Sequence, residues 1–258
     1  MSRILTKVVF ALVAVVFLGT SFESRADDKF AKMLIKKADK KYASRASKGK
    51  AAEAKEAYEK VLAVDPANIE ARWKLARALY WIGTHTKSKE EKMKIYEAGI
   101  RYCQEAAKSD DNCVPCHFWL GVSYGKFGEA KGILQSLGLV PHLKSAMEKV
   151  VKLDESYAHG GAHRVLGRLY NKLPGFKGGD NEKAIKHLNK AIEIGPHDLM
   201  NRRFLAEVQI ALGKKDEAKA TLQTIIDYPE ETLYKDRKPE SKEEKKTAEE
   251  LMKKHFGG

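Results

Sequence analysis

The stretch AIKHLNKAIEIGP, Ala184 to Pro196, sets the reading of the whole chain. A small residue opens it, an apolar stripe of helical period follows, and a proline stands just past the end. The small residue lets a neighbouring helix come close, and the proline stops the helix and turns the chain. The same cadence occurs in AKEAYEKVLAVDP, from Ala54 to Pro66, and in AKATLQTIIDYP, from Ala218 to Pro229. Three copies of one helix ending indicate a repeat.

The partner helices carry a second signature. Leu75-Ala76, Leu120-Gly121, Leu166-Gly167 and Leu205-Ala206 each set a large apolar residue beside a small one. Tyr124 and Tyr170 follow three residues after Gly121 and Gly167. This is the core of a tetratricopeptide repeat, in which the small residue lies where two helices cross. Successive large–small pairs are 45, 46 and 39 residues apart, against a usual period of about 34. The added residues fall in Gly83 to Lys92, Gly128 to Val140 and Leu173 to Asp180. No segment alternates in the manner of a strand. The expected fold is all-α, a right-handed array of about ten helices in pairs, with enlarged loops. Ser241 to Phe256 reads as a capping helix at the end of a charged tail, residues 230–258, with the repeat domain over residues 27–229.

The first residues point to export. Arg3 and Lys7 precede an apolar run, Val8 to Leu18, and Ser24-Arg25-Ala26 offers small residues at the positions a signal peptidase reads. Residues 1–26 are expected to be cleaved, placing the chain in the periplasm with no other tie to a membrane. The run is short of the roughly 20 residues of a spanning anchor. The formal charge is +13, or about +11 without the leader. Export, and the mixing of Lys with Glu and Asp along the helices, speak against nucleic acid as the partner.

With its irregular spacing, the segment from Gly167 to Ala184 (G-R-L-Y, then P-G, G-G-D and Ala) resembles the T component associated with TRAP transporters, the TatT family. The helix bearing Phe118-Trp119-Leu120-Gly121 is similar as well. The resemblance covers about Ala54 to Pro229, and its most specific part is the loop Pro174-Gly175-Phe176-Lys177-Gly178-Gly179-Asp180. It implies a non-enzymatic protein that partners a periplasmic solute-binding protein and holds a hydrophobic or organic-acid ligand. The founding lipoprotein's lipid-accepting cysteine has no counterpart here. Physically, the loop reads as an elaborate turn. Pro174 ends one helix, Gly175, Gly178 and Gly179 allow backbone angles closed to other residues, and Asp180 caps the next helix. Phe176 and Lys177, at its tip, are the candidate partner contacts.

Few residues suggest chemistry. Cys113-Val114-Pro115-Cys116-His117 has the form of a c-type haem attachment motif, with two thiols for thioethers and a histidine for iron. A haem-bearing electron carrier is therefore the alternative function, and a general scaffold without a small ligand is a third. With Cys103 the count is three, so a disulfide leaves one thiol over. A bridge from Cys103 to either of the others would staple adjacent helices. A thioredoxin-like role for the pair lacks the surrounding βαβ pattern. His159 and His163 are too few to hold a metal. Arg164 and Arg168, four apart, are read as facing solvent rather than an anionic ligand. No nucleophile, paired-carboxylate or phosphate-loop motif is present, so no enzyme, metal or resident cofactor is expected.

Overall fold

A computed structural model describes residues 29–257. The leader and its cleavage site lie outside them. The described residues form eleven α-helices, joined by turns and short 3-10 segments, and contain no strand. None of these helices is long and apolar enough to cross a membrane. The chain divides into two compact units after Ala71.

The first unit holds α1 (residues 29–43) and α2 (Lys50–Val64). Ala31 and Ile35 of α1 bury against Val61 of α2 and Ala71. The Tyr58 hydroxyl donates to Asp39 Oδ1 at 2.6 Å, and Lys41 pairs with Glu53 at 2.6 Å.

The second unit contains the rest of α3 (Ile69–His85), α4 (Lys89–Ser109), α5 (Val114–Lys131), α6 (Val140–Asp154), α7 (Tyr157–Lys172), α8 (Asn181–Ile194), α9 (Leu199–Ala211), α10 (Lys215–Ile226) and α11 (Lys238–Phe256). From α4 to α11 each helix packs on its neighbour in sequence, and alternate helices such as α5, α7 and α9 also touch. Local chemistry sets the helix starts. Ser88 accepts from Glu91 N, Asp180 from Glu182 N and Lys183 N, and Asp198 from Met200 N.

Helix crossings use the residues that the repeat signature singles out. A Cβ on Gly167 of α7 would lie 2.6 Å from Leu188 Cγ and 3.1 Å from the Ala184 carbonyl of α8. A Cβ on Gly121 of α5 would lie 2.2 Å from Met147 Cε of α6. The main cluster joins Phe118, Trp119 and Val122 of α5 to Leu143, Met147 and Val150 of α6 and Leu166 of α7. At the far end, Leu199, Ala206, Leu222 and Ile225 are closed by Leu233 and Ala248, with Leu251, Met252 and Phe256 packed alongside. Helix α11 thus covers this cluster, starting at Lys238 rather than Ser241 because Pro239 fits its first turn.

The two glycines face different obstacles, which predicts different costs. Gly167→Ala meets backbone and a branched side chain and should cost about 1–3 kcal/mol. Gly121→Ala meets the end of a methionine, which swings aside, and should cost less than about 1 kcal/mol. Urea unfolding followed by circular dichroism measures both, and equal losses would refute this account of the crossings.

Candidate functional site

Two surfaces of the second unit and one turn carry the side chains of interest. The first is a polar seam drawn from alternate helices. Arg164 of α7, only 5 % exposed, donates to Asp198 Oδ2 at 3.0 Å and to Asn201 Oδ1 at 2.8 Å. Arg237, just before α11, reaches the same Asp198 oxygen at 3.1 Å. The Asn201 amide donates to the carbonyls of Ala191, Gly195 and His159, at 2.8, 3.1 and 3.2 Å. Burial pushes the Asp198 carboxyl up, but Arg237 and Arg164 prevail and hold it below its usual range.

The seam continues along α7, α9 and α5. Arg168 bridges Glu129 at 2.5 Å and Glu207 at 3.2 Å, and Lys172 adds a contact to Glu207 at 3.2 Å. Arg203 pairs with Glu207 and with the buried Glu244 of α11. His85, at the end of α3, meets Glu243 of α11 at 2.8 Å. Burial raises Glu129, yet Arg168 and Lys126 bring it down to about 2. The expectation that Arg164 and Arg168 face solvent is therefore corrected. Both point into the seam, where carboxylates from other helices neutralise them.

The start of α7 departs from a regular helix. Ala158, His159 and Gly160 have φ of 53°, 58° and 75°. The left-handed run separates the two histidines, which would otherwise share a helix face. His159 stacks on Tyr234 at 3.7 Å between ring centres and meets Asp236 at 3.2 Å. His163 bonds His187 Nδ1 and Glu155 Oε1, each at 2.8 Å. Burial and His163 lower His187 to about 4. Among the described residues, no cluster of three or more metal-binding side chains occurs.

The second surface is the edge formed by the turns after α5, α7 and α9. The ion pairs of Arg168 with Glu129 and Glu207 hold the ends of these helices side by side. Each turn exposes one large apolar residue: Leu134 at 60 %, Phe176 at 79 % and Leu212 at 42 %. Exposed lysines stand close to each in sequence, Lys131, Lys177 and Lys214. Within the Pro174–Asp180 loop, Gly178 has φ of 88°, but Gly175 and Gly179 do not take up left-handed angles, so the expectation for those two is corrected; a Cβ on Gly175 would meet open space. A Cβ on Gly179 would fall 1.9 Å from the Leu173 carbonyl oxygen. Gly175 opens the short 3-10 turn on whose exposed side Phe176 and Lys177 sit, and Lys177 Nζ lies 5.8 Å from the Phe176 ring centre. Sequence reasoning singled out Phe176 and not the similarly exposed Leu134 and Leu212. Their signal is a lone apolar residue near glycine and lysine in a turn.

The turn is the start of α5. Cys113 and Cys116 form a disulfide, and Cys103 is free and buried. The helix-to-helix staple through Cys103 is thus not formed, because the N-cap position of Cys113 turns its sulfur back to the Cys116 amide. His117 Nε2 lies 2.9 Å from the Asp111 carbonyl oxygen. Thioether attachment of haem would need both thiols released and this imidazole turned.

A family model described as Regulator of microtubule dynamics protein 1-3 matches residues 34–174, more than half of the chain. The chain belongs to this family. In this regulator-family chain a tetratricopeptide-repeat model also matches residues 176–235. Comparison with curated proteins gives no significant match. Among solved structures, the chain is similar to a thermophilic tetratricopeptide-repeat protein of Thermus thermophilus. Identity is 18 %, with 86 % of this chain and 100 % of that one covered and a TM-score of 0.64. This likeness shows an all-α repeat fold. Two crystal structures of MamA also match. One has 23 % identity over 78 % of this chain and 93 % of that one, with a TM-score of 0.45. The other has 22 % identity over 83 % and 93 %, with a TM-score of 0.48.

Two measurements test the site's electrostatics. Asp198→Ala leaves Arg164 and Arg237 without their shared carboxylate and should cost about 3–5 kcal/mol in unfolding free energy. Loss under about 1 kcal/mol would contradict the role given to it. The second measurement is pH dependence. The unfolded His187 takes a proton near its ordinary 6.5, whereas the folded one resists to about 4. Stability is full above 6.5 and should fall, by about 1–2 kcal/mol allowing for solvent screening, as pH drops toward 4. Below 4.5 the lowered Glu129 adds a further loss down to about 2. His187→Gln should flatten the upper limb of thermal midpoint against pH and leave the lower one.

Proposed function

We propose that this repeat protein is an exported adaptor that binds another protein along the turn edge at Leu134, Phe176 and Leu212. One observation carries the reading. Helical-repeat arrays commonly bind on the inner face, but here α11 and Arg237 fill the seam on that side with Glu240, Glu243 and Glu244. The hydrophobic or organic-acid ligand expected from the TatT resemblance would have to displace them. The turn edge is open, and its apolar residues are spaced one per repeat, which favours a contact surface over chance exposure. Neighbouring lysines suit a partner with an acidic, apolar-centred face. The leader, together with the TatT-like loop, favours a solute-binding protein of a tripartite uptake system as that partner. From the regulator family, the reading carries over protein binding and not the microtubule.

The test uses the full chain with a photo-crosslinking residue at position 134, 176 or 212, expressed in its native host. All three should crosslink to one protein, and a control at Lys55 should not. The triple change Leu134→Ser, Phe176→Ser, Leu212→Ser should weaken binding of that purified protein at least tenfold. Thermal stability should stay within about 0.5 kcal/mol of the parent, as for other exposed sites. Unchanged affinity in the triple variant would overturn the reading. A thioether-linked haem band in the native protein would replace it with electron transfer.

A further inference from the structure

The disulfide between Cys113 and Cys116 spans three residues and ties no two helices together. Disulfides kept for stability close long loops or join separate elements, and this one does neither. Its surroundings are those of an exchanging pair. Cys113 is the N-cap of α5, and its sulfur accepts from the Cys116 N–H at 3.3 Å. Cys116 lies one turn in, beneath the surface, whereas Cys113 is partly exposed. One sulfur is thus open to attack and the other is shielded from every thiol but its neighbour. The start of an 18-residue helix also favours a thiolate on Cys113, because its free N–H groups and positive dipole end converge there. Pro115 at the second helical position fixes the turn without consuming an N–H. His117 follows at once, and a shallow cleft lined by Asp111, His117, Tyr124, His142 and Lys149 opens beside it. The remaining thiol, Cys103, is wholly buried, and burial pushes it far above the usual thiol range, so it stays inert.

We propose that Cys113 and Cys116 form a redox-active dithiol–disulfide pair that exchanges with thiols of a partner protein. A partner thiolate attacks Cys113 Sγ. The new bond joins partner sulfur to Cys113, the Cys113–Cys116 bond breaks, and its electron pair leaves on Cys116, which takes up a proton. A second partner thiol then attacks its own sulfur in the mixed disulfide and releases Cys113. The net change is reduction of this disulfide to two thiols and oxidation of two partner thiols to one disulfide. The reverse reaction reduces a partner disulfide. The βαβ setting of thioredoxin-like proteins is not required, because the chemistry draws on a helix start and an asymmetric pair.

The folded full chain is equilibrated in a series of reduced and oxidised glutathione, quenched with acid, labelled with a maleimide and read by peptide mass spectrometry. With the quenched protein unfolded for labelling, Cys113 and Cys116 should pass together from oxidised to reduced within the series, with Cys103 labelled throughout as the internal reference. The thermal midpoint should change by no more than a few degrees, since no elements are released. In Cys116→Ser, Cys113 should accumulate a mixed disulfide with glutathione that the parent chain resolves at least tenfold faster. A pair that stays oxidised across the series until denaturant is added would overturn the proposal. So would a parent that resolves the mixed disulfide no faster than the variant. Should Cys116→Ser fail to fold, the parent titration alone decides.

Discussion

The second unit turns on one buried carboxylate. Asp198 caps α9, takes a guanidinium from α7 and takes another from the segment before α11. Any of these contacts could be replaced singly. Together they fix three elements that the apolar core alone would leave free to slide, because apolar packing has no direction. A buried ion cluster adds little net stability over well-packed hydrocarbon, yet breaking it leaves charge stranded. Its effect is to make one arrangement of α7, α9 and the C-terminal segment far better than its neighbours. Asn201 completes the cluster, with both ends of its amide satisfied in a fully buried position.

This constraint divides the labour of the surface. Because Arg164, Arg168 and Arg203 are each matched by carboxylates, the inner side of the array offers little unspent charge to an outside molecule. The same ion pairs align the ends of α5, α7 and α9 and so bring three apolar turn residues onto one edge. At the other end of α5, the paired cysteines sit on a turn that the ion network does not touch. The proposed binding edge and the proposed thiol pair therefore share no residue with each other or with the seam.

The fold was legible because its signals are local. A small residue, a stripe and a proline encode one helix ending, and a leucine beside a glycine encodes one crossing. The Pro174–Asp180 loop was legible for the same reason, since cap and turn lie within seven residues. The seam was not. Arg164 meets Asp198 across 34 residues, and Arg168 meets Glu129 and Glu207 across 39 in each direction. Nothing near the arginines marks them as inward. His159 and His163, four apart in sequence, do not share a helix face, because residues 158–160 are left-handed and the regular helix begins only after them. Leu134 and Leu212 escaped notice because single residues in turns have no period.

The dependence of the seam on α11 also has a consequence in time. Synthesis delivers the chain from its amino end. Arg203 emerges 41 residues ahead of Glu244, and Arg237 follows Asp198 by 39. During that interval Arg203 of α9 lacks one of its two carboxylates, and the cluster around Leu222 and Ile225 is open. A chain halted before α11 would carry a half-matched guanidinium at Arg203 and bare hydrocarbon, the kind of exposed surface by which chaperones hold a protein and proteases remove it. Helix α11 thus acts as a late seal on surfaces that the earlier helices leave exposed.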